Sequence, residues 1–394
     1  MKNLLLTVFV SALLVGCRAG RTEETTTDRL VRARQQIDLM LEEALARNAV
    51  PRTVDKEGRT LWIDGHKFDW TEGFFPGTLW YMYQWCGQEK YRDAASRLQA
   101  IYEHHKNAES HDLGFIFNDS YGHGYRLTRD SGMLKVMIEA GNALAKRFNP
   151  ASGTILSWNV DRGWQRLRGW KHPVIIDNMM NLEFLFELSE ITGDSTYRKI
   201  AVSHADATMK NHYRPDFSSY HVVDYDPQTG EVRGRYTAQG YADDSSWARG
   251  QAWGLYGYVV CYRYTKNPVY LEQAVRIAQY IMSAPEIPAD RIPYWDYHAP
   301  EIPNAPRDVS AAAITASALL ELDDYLPDTY REYALAIIDA LSSDEYRAAP
   351  GTNNLFILKH SVGSIPHNNE VDVPLNYADY YYVEALCRML DRQL

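Results

Sequence analysis

The chain has 394 residues, of which 45% are hydrophobic and 23% charged, and its formal net charge is −10. This composition predicts one large globular domain or two small ones, and the negative charge without a basic stripe argues against a nucleic-acid-binding protein. Aromatic residues are abundant, with 28 Tyr, 10 Trp and 11 Phe. Their flat apolar faces suit both a large helical core and a sugar-binding cleft.

The first 17 residues, MKNLLLTVFVSALLVGC, combine one Lys with a short apolar run and small residues. They are too short for a transmembrane helix and fit an export signal. The end of this run, LVGC, resembles a bacterial lipobox, which implies cleavage before Cys17 and lipidation of its thiol. The alternative is an ordinary signal peptide with an incidental Cys. We expect 18–27 to be a flexible tether, 28–394 a single domain, and the protein a lipoprotein of the bacterial cell envelope that faces the periplasm or the cell surface.

Apolar periodicity and helix-breaking residues predict about twelve helices. They are expected near 28–48, 73–86, 89–106, 114–127, 131–147, 178–192, 195–212, 246–265, 268–284, 308–324, 328–343 and 376–392. Twelve alternating helices predict an all-α fold, an (α/α)6 barrel with an inner and an outer ring. The amphipathic stretch 89–106 is typical of an outer helix, and 308–324, small and apolar nearly all round, of an inner one.

Four stretches repeat one pattern, in which a breaker is followed by a Tyr and, four residues later, an Ala on the same helix face. The pairs are Tyr91/Ala95, Tyr197/Ala201, Tyr270/Ala274 and Tyr330/Ala334. Even-numbered helices should form the inner ring, with their polar starts at one barrel end. Six helix N-termini facing one cavity would create a positive field suited to an anion, although each polar start alone is also an ordinary N-cap.

Five motifs lie at the predicted helix starts, within the helices or in the connections between them. They are HDLGF (111–115), IIDNMMNLEFL (175–185), YHVVDYDPQTG (220–230), AQGYADDSSWARGQAWGLYGY (238–258) and ADYYYVEALCRM (378–389). Together, and in this order, they resemble the unsaturated glucuronyl hydrolases, glycoside hydrolase family 88. The resemblance runs from about residue 69 to the C-terminus, and the family fold is the (α/α)6 barrel that the helix count predicts.

The resemblance implies that Asp177 is the general acid/base and that Asp112 is a second essential carboxylate. It also implies a set of residues that bind the uronate, by polar contacts or by stacking: His221, Gln239, Arg249, Trp253, Trp70 and Trp158. His111 is expected to orient a ligand or to order the loop. For Arg249, the competing interpretation is a structural salt bridge to Asp243 or Asp244.

The implied reaction removes a terminal 4,5-unsaturated uronic acid from lyase-generated oligosaccharides, with glycosaminoglycan disaccharides as the first expectation, by hydrating the C4=C5 enol ether. A single Asp can act first as acid and then as base, without the two opposed carboxylates of ordinary glycoside hydrolysis. Desolvation and the charge of Asp112 should raise the pKa of Asp177 more than its helix N-terminus lowers it. Family members acting on certain sulfated substrates carry a Ser-and-Lys motif, but 360–381 has Ser361 and Ser364 without a Lys, which leaves sulfate preference open.

Three alternatives share the barrel: an unsaturated rhamnogalacturonyl hydrolase, an ulvan-oligosaccharide hydrolase and a conventional inverting glycosidase. A fourth is a surface lipoprotein that binds glycans without turnover, which would need aromatic platforms but not two carboxylates. No cofactor or metal is expected, because the sequence has no P-loop, no G-x-S-x-G and no His cluster at metal spacing. Buried thiols are expected at Cys86, Cys261 and Cys387. The expected partner is the oligosaccharide, with no nucleic acid, and with a membrane only through the lipid anchor.

Overall fold

The computed structural model describes residues 24–391. Within that range twelve helices alternate between two rings and confirm the predicted (α/α)6 barrel. They are α1 (Thr26–Arg47), α2 (Phe74–Cys86), α3 (Glu89–Gln99, extended by the 3₁₀ helix Ala100–Asn107), α4 (Leu113–Phe117, continued through the π turn Asn118–Gly122 into His123–Thr128), α5 (Ser131–Ala145), α6 (Asn181–Thr192), α7 (Ser195–Asn211), α8 (Ala248–Thr265), α9 (Pro268–Ser283), α10 (Val309–Tyr325), α11 (Arg331–Leu341) and α12 (Asn376–Asp391).

The even-numbered helices form the inner ring, as their sequences predict. Each packs against the next, from α2 through α4, α6, α8 and α10 to α12, and α12 packs back against α2. Helices α8 and α10 are buried on every side over 248–261 and 309–323. The outer helix α9 instead buries one stripe of residues spaced three and four apart, which is the pattern of a helix with one face in water.

The Tyr and Ala pairs of the repeated pattern are buried in the outer ring. Three of the Tyr hydroxyls donate a hydrogen bond of 2.7 Å to the preceding outer helix: Tyr91 to Asp38, Tyr197 to Asn142 and Tyr270 to Asp206. The repeat therefore encodes a contact between successive outer helices.

Four small antiparallel sheets lie in connections that lead into inner helices. They are β1 (Val50–Val54) with β2 (Thr60–Ile63), β3 (Phe148–Asn149) with β4 (Thr154–Ile155), β5 (Pro173–Ile175) with β6 (Val222–Tyr225) and β7 (Val232–Tyr236), and β8 (Ser361–Ser364) with β9 (Asn369–Val373). None of these strands was predicted from the sequence. The sheets sit at the barrel end where the inner helices begin, and they hold the candidate site in place.

The first helix begins earlier than expected. The Thr25 side chain accepts a hydrogen bond from the backbone N–H of Asp28, and the Asp28 carboxylate accepts one from the backbone N–H of Thr25, forming a capping box. Glu24 pairs with Arg32 at 3.0 Å and with Arg347 at 3.1 Å. The tether prediction is therefore wrong for 24–27, while Cys17 and the rest of the predicted signal and tether lie outside the described residues. No helix in 24–391 is long and apolar enough to cross a bilayer.

Candidate active site

Asp177 and Asp112 lie at the starts of neighbouring inner helices without acting as caps. Asp177 belongs to the 3₁₀ helix Ile176–Met180 between β5 and α6, and the N-cap of α6 is Met180. Asp112 occupies the N-cap position of α4, but its side chain makes no capping bond. The interpretation of Asp177 as a plain N-cap is therefore wrong, and its carboxyl group serves another purpose.

Asp177 is a buried carboxyl group with one unpaired oxygen. The residue is 8% exposed, and Oδ2 has no hydrogen-bond partner among the described residues. Burial raises the pKa of Asp177 to about 7; the charge of Arg249 and the Trp253 indole N–H oppose this shift, and the charge of Asp112 adds to it. The net shift is upward, as expected, so a large fraction of Asp177 carries a proton near neutral pH.

His221 faces Asp177 as a neutral N–H donor. Its Nδ1 accepts hydrogen bonds from the backbone N–H groups of Ala238 and Gln239, at 3.0 and 3.1 Å. The hydrogen of the neutral ring must then sit on Nε2, which lies 3.8 Å from Oδ2 of Asp177. Burial lowers the pKa of His221 well below its usual value, and the nearby Arg249 charge lowers it further.

His111 connects the loop of Asp112 to the turn of Asp177. Asn178 donates through Nδ2 to the Ile155 carbonyl at 2.7 Å, so its Oδ1 is the acceptor for His111 Nδ1 at 2.9 Å. His111 Nε2 is then left 3.3 Å from Oδ1 of Asp112. Burial lowers the pKa of His111, and the charge of Asp112 opposes that shift. His111 thus links the loop of Asp112 to the turn of Asp177, and its role toward a ligand stays a prediction.

Arg249 is fully buried and bonded within the protein. Nη1 lies 2.9 Å from Oδ2 of Asp308 and also donates to the Val362 carbonyl, while Nη2 donates to the Gly363 carbonyl at 2.7 Å. Only Nε has no hydrogen-bond partner within 24–391. The Trp247 ring lies 4.5 Å from the guanidinium.

These contacts correct two expectations for Arg249. Its structural partner is Asp308, not Asp243 or Asp244, because Asp308 caps α10 directly beside it. Its fork is also already used, so it offers the site a positive charge rather than an open bidentate clamp. The same bonds fix strand β8 against the inner helices.

The predicted aromatic platforms differ in exposure. Trp253 is fully buried and contacts Phe115 and Tyr381, with ring centroids 5.1 and 5.4 Å apart. It therefore supplies an N–H and an apolar wall, which corrects its expected role as an open stacking face. Trp70 and Trp158 are half-buried, and their role as platforms stays a prediction. Trp158 lies 5.9 Å from His221, edge to face.

Three residues that support the site were missed from the sequence: Asn178, Trp247 and Asp308. Asn178 follows Asp177 in the motif IIDNMMNLEFL. A polar side chain in that largely apolar run was the signal that could have identified it. Trp247 packs 4.8 Å from His221, and Asp308 forms an ion pair with Arg249. Gln239 contributes its backbone N–H to His221, and its side chain reaches the Gly363 carbonyl at 3.4 Å.

A cavity of about 810 Å³ lies at the barrel end opposite Asp177. Its charged side chains pair with one another: Arg263 bonds Glu183 and Glu321, and Arg388 bonds Glu321 and Glu384. These pairs join the inner helices α6, α8, α10 and α12. Among the described residues, no three His, Cys, Asp or Glu side chains form a metal site. Cys261 and Cys387 are buried, as predicted, and Cys86 is half-buried.

Comparison with known proteins identifies the family. The model of Glycosyl Hydrolase Family 88 matches residues 45–389. The chain belongs to glycoside hydrolase family 88. Among its family 88 relatives, the unsaturated glucuronyl hydrolase of Formosa agariphila is 45% identical over 323 residues, 81% of this chain and 80% of that protein. The unsaturated glucuronyl hydrolase of Bacillus sp. strain GL1 is 34% identical over 347 residues, 84% and 89% of the two chains.

Solved structures of family 88 share the barrel. The crystal structure of an unsaturated glucuronyl hydrolase specific for heparin superimposes with a TM-score of 0.88 at 44% identity, covering 93% of this chain and 97% of that one. This family 88 chain is therefore a glycosidase of the unsaturated glucuronyl hydrolase type, as the motifs predicted.

Proposed function

We propose that this enzyme removes the terminal 4,5-unsaturated uronic acid from lyase-generated glycosaminoglycan oligosaccharides, and that Asp177 is its acid and base. The observation that carries the proposal is a buried carboxyl group with a pKa of about 7 and an unpaired oxygen facing a neutral His221 N–H. A related Bacillus enzyme is described as responsible for glycosaminoglycan degradation, and a Streptococcus agalactiae variant was solved with dGlcA-GalNAc6S. Both support the choice of polymer class.

The chemistry begins at an enol ether. Protonated Asp177 gives its proton to C4, and the positive charge that develops at C5 is shared with the ring oxygen. A water molecule then bonds to C5 through its oxygen while the Asp177 carboxylate takes a proton from that water. This restores the acid form of Asp177. The hemiketal opens to a C5 ketone, and the hemiacetal left at C1 releases the second sugar. One water is consumed and Asp177 returns to its starting state.

The remaining side chains bind rather than react. His221 Nε2 has no hydrogen-bond partner within the described chain, so it is available to donate to an oxygen atom of the uronate, while the Trp253 indole N–H is directed at Asp177. Arg249 attracts the substrate carboxylate through its charge, since its fork holds Asp308 and β8. The Asp112 carboxyl group, 3.3 Å from His111 Nε2, suits a contact with the ring hydroxyl groups.

A panel of unsaturated disaccharides from chondroitin, hyaluronan and heparan tests the proposal. We expect the ultraviolet absorbance of the conjugated double bond to disappear as C4 is protonated. Saturated glucuronides are the control and should remain intact, because they lack the enol ether. Binding without loss of absorbance would contradict the proposal and indicate a glycan-binding protein. Loss confined to rhamnogalacturonan or ulvan products would contradict the choice of polymer.

A further inference from the structure

The cavity at the barrel end opposite Asp177 is separate from the active site. Its volume of about 810 Å³ is in the range of small-molecule binding sites. Trp253, a wall of the active site, lies 5.4 Å from the Tyr381 ring, and Tyr381 lies 5.7 Å from Tyr256, which lines the cavity. These rings lie between the two spaces. A ligand in the cavity would therefore not touch the unsaturated sugar.

Helix α4 is irregular where it lines this cavity. Residues Asn118–Gly122 form a π turn, and such turns are frequent at functional sites. The turn and the residue that follows it place Asp119 and His123 in the cavity wall. Both residues are more than nine-tenths buried, at 7% and 3% exposure. Two buried polar side chains thus line the cavity from one short segment.

His123 presents a buried acceptor that receives no hydrogen bond. Its Nε2 lies 2.9 Å from Oε1 of Gln84, so Nε2 carries the ring hydrogen and Nδ1 keeps its lone pair. Burial lowers the pKa of His123 well below its usual value, and the charge of Arg126 lowers it further, so the ring is neutral. Nδ1 has no hydrogen-bond partner among the described residues. A ligand with an N–H or O–H group would satisfy it.

Asp119 presents a second acceptor. Its Oδ2 has no hydrogen-bond partner within residues 24–391, although the Tyr380 hydroxyl is directed at this carboxyl group. Burial raises the pKa of Asp119 well above its usual value; the charges of Glu183 and Glu384 add to the rise, and the charge of Arg126 opposes it. A cation beside Asp119 would offset the neighbouring negative charges and favour the carboxylate.

The electrostatic field at this end of the barrel also favours a cation. Five acidic side chains line the cavity against three Arg side chains. The six inner helices begin at the active-site end and end here, and each helix C-terminus carries roughly half a negative charge. Five Tyr rings complete the wall, and Tyr faces attract cations. Because no three His, Cys, Asp or Glu side chains of the described chain form a metal site, an organic cation fits better than a metal ion.

We propose that this cavity binds the ammonium group of a small organic amine, which donates hydrogen bonds to Oδ2 of Asp119 and to Nδ1 of His123. An ammonium group brings N–H donors and a positive charge together. A neutral alcohol would bring the donors without the charge, and a bare metal ion would bring the charge without the donors. The amine is therefore the ligand class that matches both the two acceptors and the field.

Calorimetric titration of the enzyme with putrescine tests the proposal, with 1,4-butanediol as the uncharged analogue of the same length. We expect saturable binding of putrescine at about millimolar concentration or below and no measurable binding of the diol. Asp119→Asn should weaken putrescine binding about tenfold, the low end for one hydrogen bond to a charged group.

Two matched controls should bind putrescine as the wild type does. Glu43→Gln removes one acidic group from the surface of α1, where Glu43 pairs with Arg47, and Asp177→Asn removes the carboxyl group at the other barrel end. Thermal unfolding of each variant checks that the fold is intact. The comparison of putrescine with the diol needs only the wild type, so it decides the proposal even if Asp119→Asn does not fold.

Four outcomes would overturn the site. Putrescine could fail to bind saturably, or the diol could bind with equal affinity. Equal weakening by Asp119→Asn and Glu43→Gln would show only a general attraction to an acidic protein. Loss of binding in Asp177→Asn would place the amine in the active site. None of these measurements depends on turnover, so failure of the proposed function would leave the test of the cavity unaffected.

Discussion

Nε2 of His221 lies 3.8 Å from Oδ2 of Asp177, and neither atom has a hydrogen-bond partner within residues 24–391. Buried polar groups in folded proteins are usually paired, because an unpaired one costs about 1–3 kcal/mol. Two such unpaired atoms side by side therefore lower the stability of the folded protein. In a glycosidase barrel this is the expected cost of a site prepared for substrate oxygens.

The first prediction concerns the pH dependence of turnover. Asp177 must carry a proton to act, and burial raises its pKa to about 7. We expect kcat to fall as the pH rises through that value, measured with an unsaturated disaccharide over about pH 5 to 9. A kcat that rises over the upper half of that range would contradict the role of Asp177 as an acid.

Unfolding of the wild type and of Asp177→Asn provides the control for that assignment. The pKa of Asp177 is 3.8 in its ordinary state and about 7 when folded, so the folded protein binds this proton more tightly. The stabilisation that comes from this tighter proton binding is fully present below about pH 3.8 and is lost as the pH rises through about 7. Relative to Asp177→Asn, the free energy of unfolding of the wild type should therefore decrease between about pH 4 and 7.

The second prediction concerns Asp112. Its charge contributes to the raised pKa of Asp177. Asp112→Asn should reduce kcat by at least about tenfold and should shift the fall of kcat to lower pH, because a negative charge near Asp177 has been removed. The pH profile of the variant measures both effects. An unshifted profile would show that the two carboxyl groups are not coupled.

How much of this site the sequence could predict depends on the range of each interaction. The helices and their alternation follow from local periodicity, and the Tyr and Ala pairs identified outer helices because Tyr91, Tyr197 and Tyr270 sit on repeated units. The ion-pair partner of Arg249 could not be predicted from the sequence, because Asp308 is 59 residues away. The acidic residues at 243 and 244 are nearer in sequence and were the expected alternatives. The burial of Trp253 could not be predicted from the sequence either, because it depends on contacts with residues of other helices.

The third prediction concerns the buried pair of Arg249 and Asp308. Asp308→Asn keeps a side chain that can cap α10 but leaves the buried guanidinium without its counter-charge. We expect the free energy of unfolding to fall by about 3–5 kcal/mol, measured by chemical denaturation. Glu43→Gln is the control, because Glu43 pairs with Arg47 at 3.0 Å with both side chains about half exposed. That change should cost less than about 1 kcal/mol; equal costs would mean that the Arg249 pair is not structural.

The fourth prediction concerns the N-terminus. We propose that Cys17 carries lipid and anchors the enzyme to the cell envelope, as the lipobox resemblance implies. Cys17→Ala should move the enzyme from the membrane fraction to the soluble fraction of the expressing bacterium, whereas Cys86→Ala should not. An unchanged distribution of Cys17→Ala would argue against the anchor.

The final prediction concerns the role of Asp177 in chemistry. Asp177→Asn keeps the size of the side chain but removes the proton. It should retain the fold, because Asp177 caps no helix, while turnover falls at least about a hundredfold. Unfolding curves and initial rates measure the two quantities on the same preparation. An active Asp177→Asn variant would mean that another group protonates the substrate.

The measurement that tests the mechanism most directly is the fate of hydrogen at C4. Turnover of an unsaturated disaccharide in heavy water should place one deuterium at C4 of the released uronate, detected by nuclear magnetic resonance at early times. Product incubated in heavy water without enzyme gives the rate of exchange beside the C5 ketone, which must be slower. Release of the second sugar with the double bond intact and no deuterium at C4 would contradict protonation by Asp177 and would indicate ordinary glycoside hydrolysis.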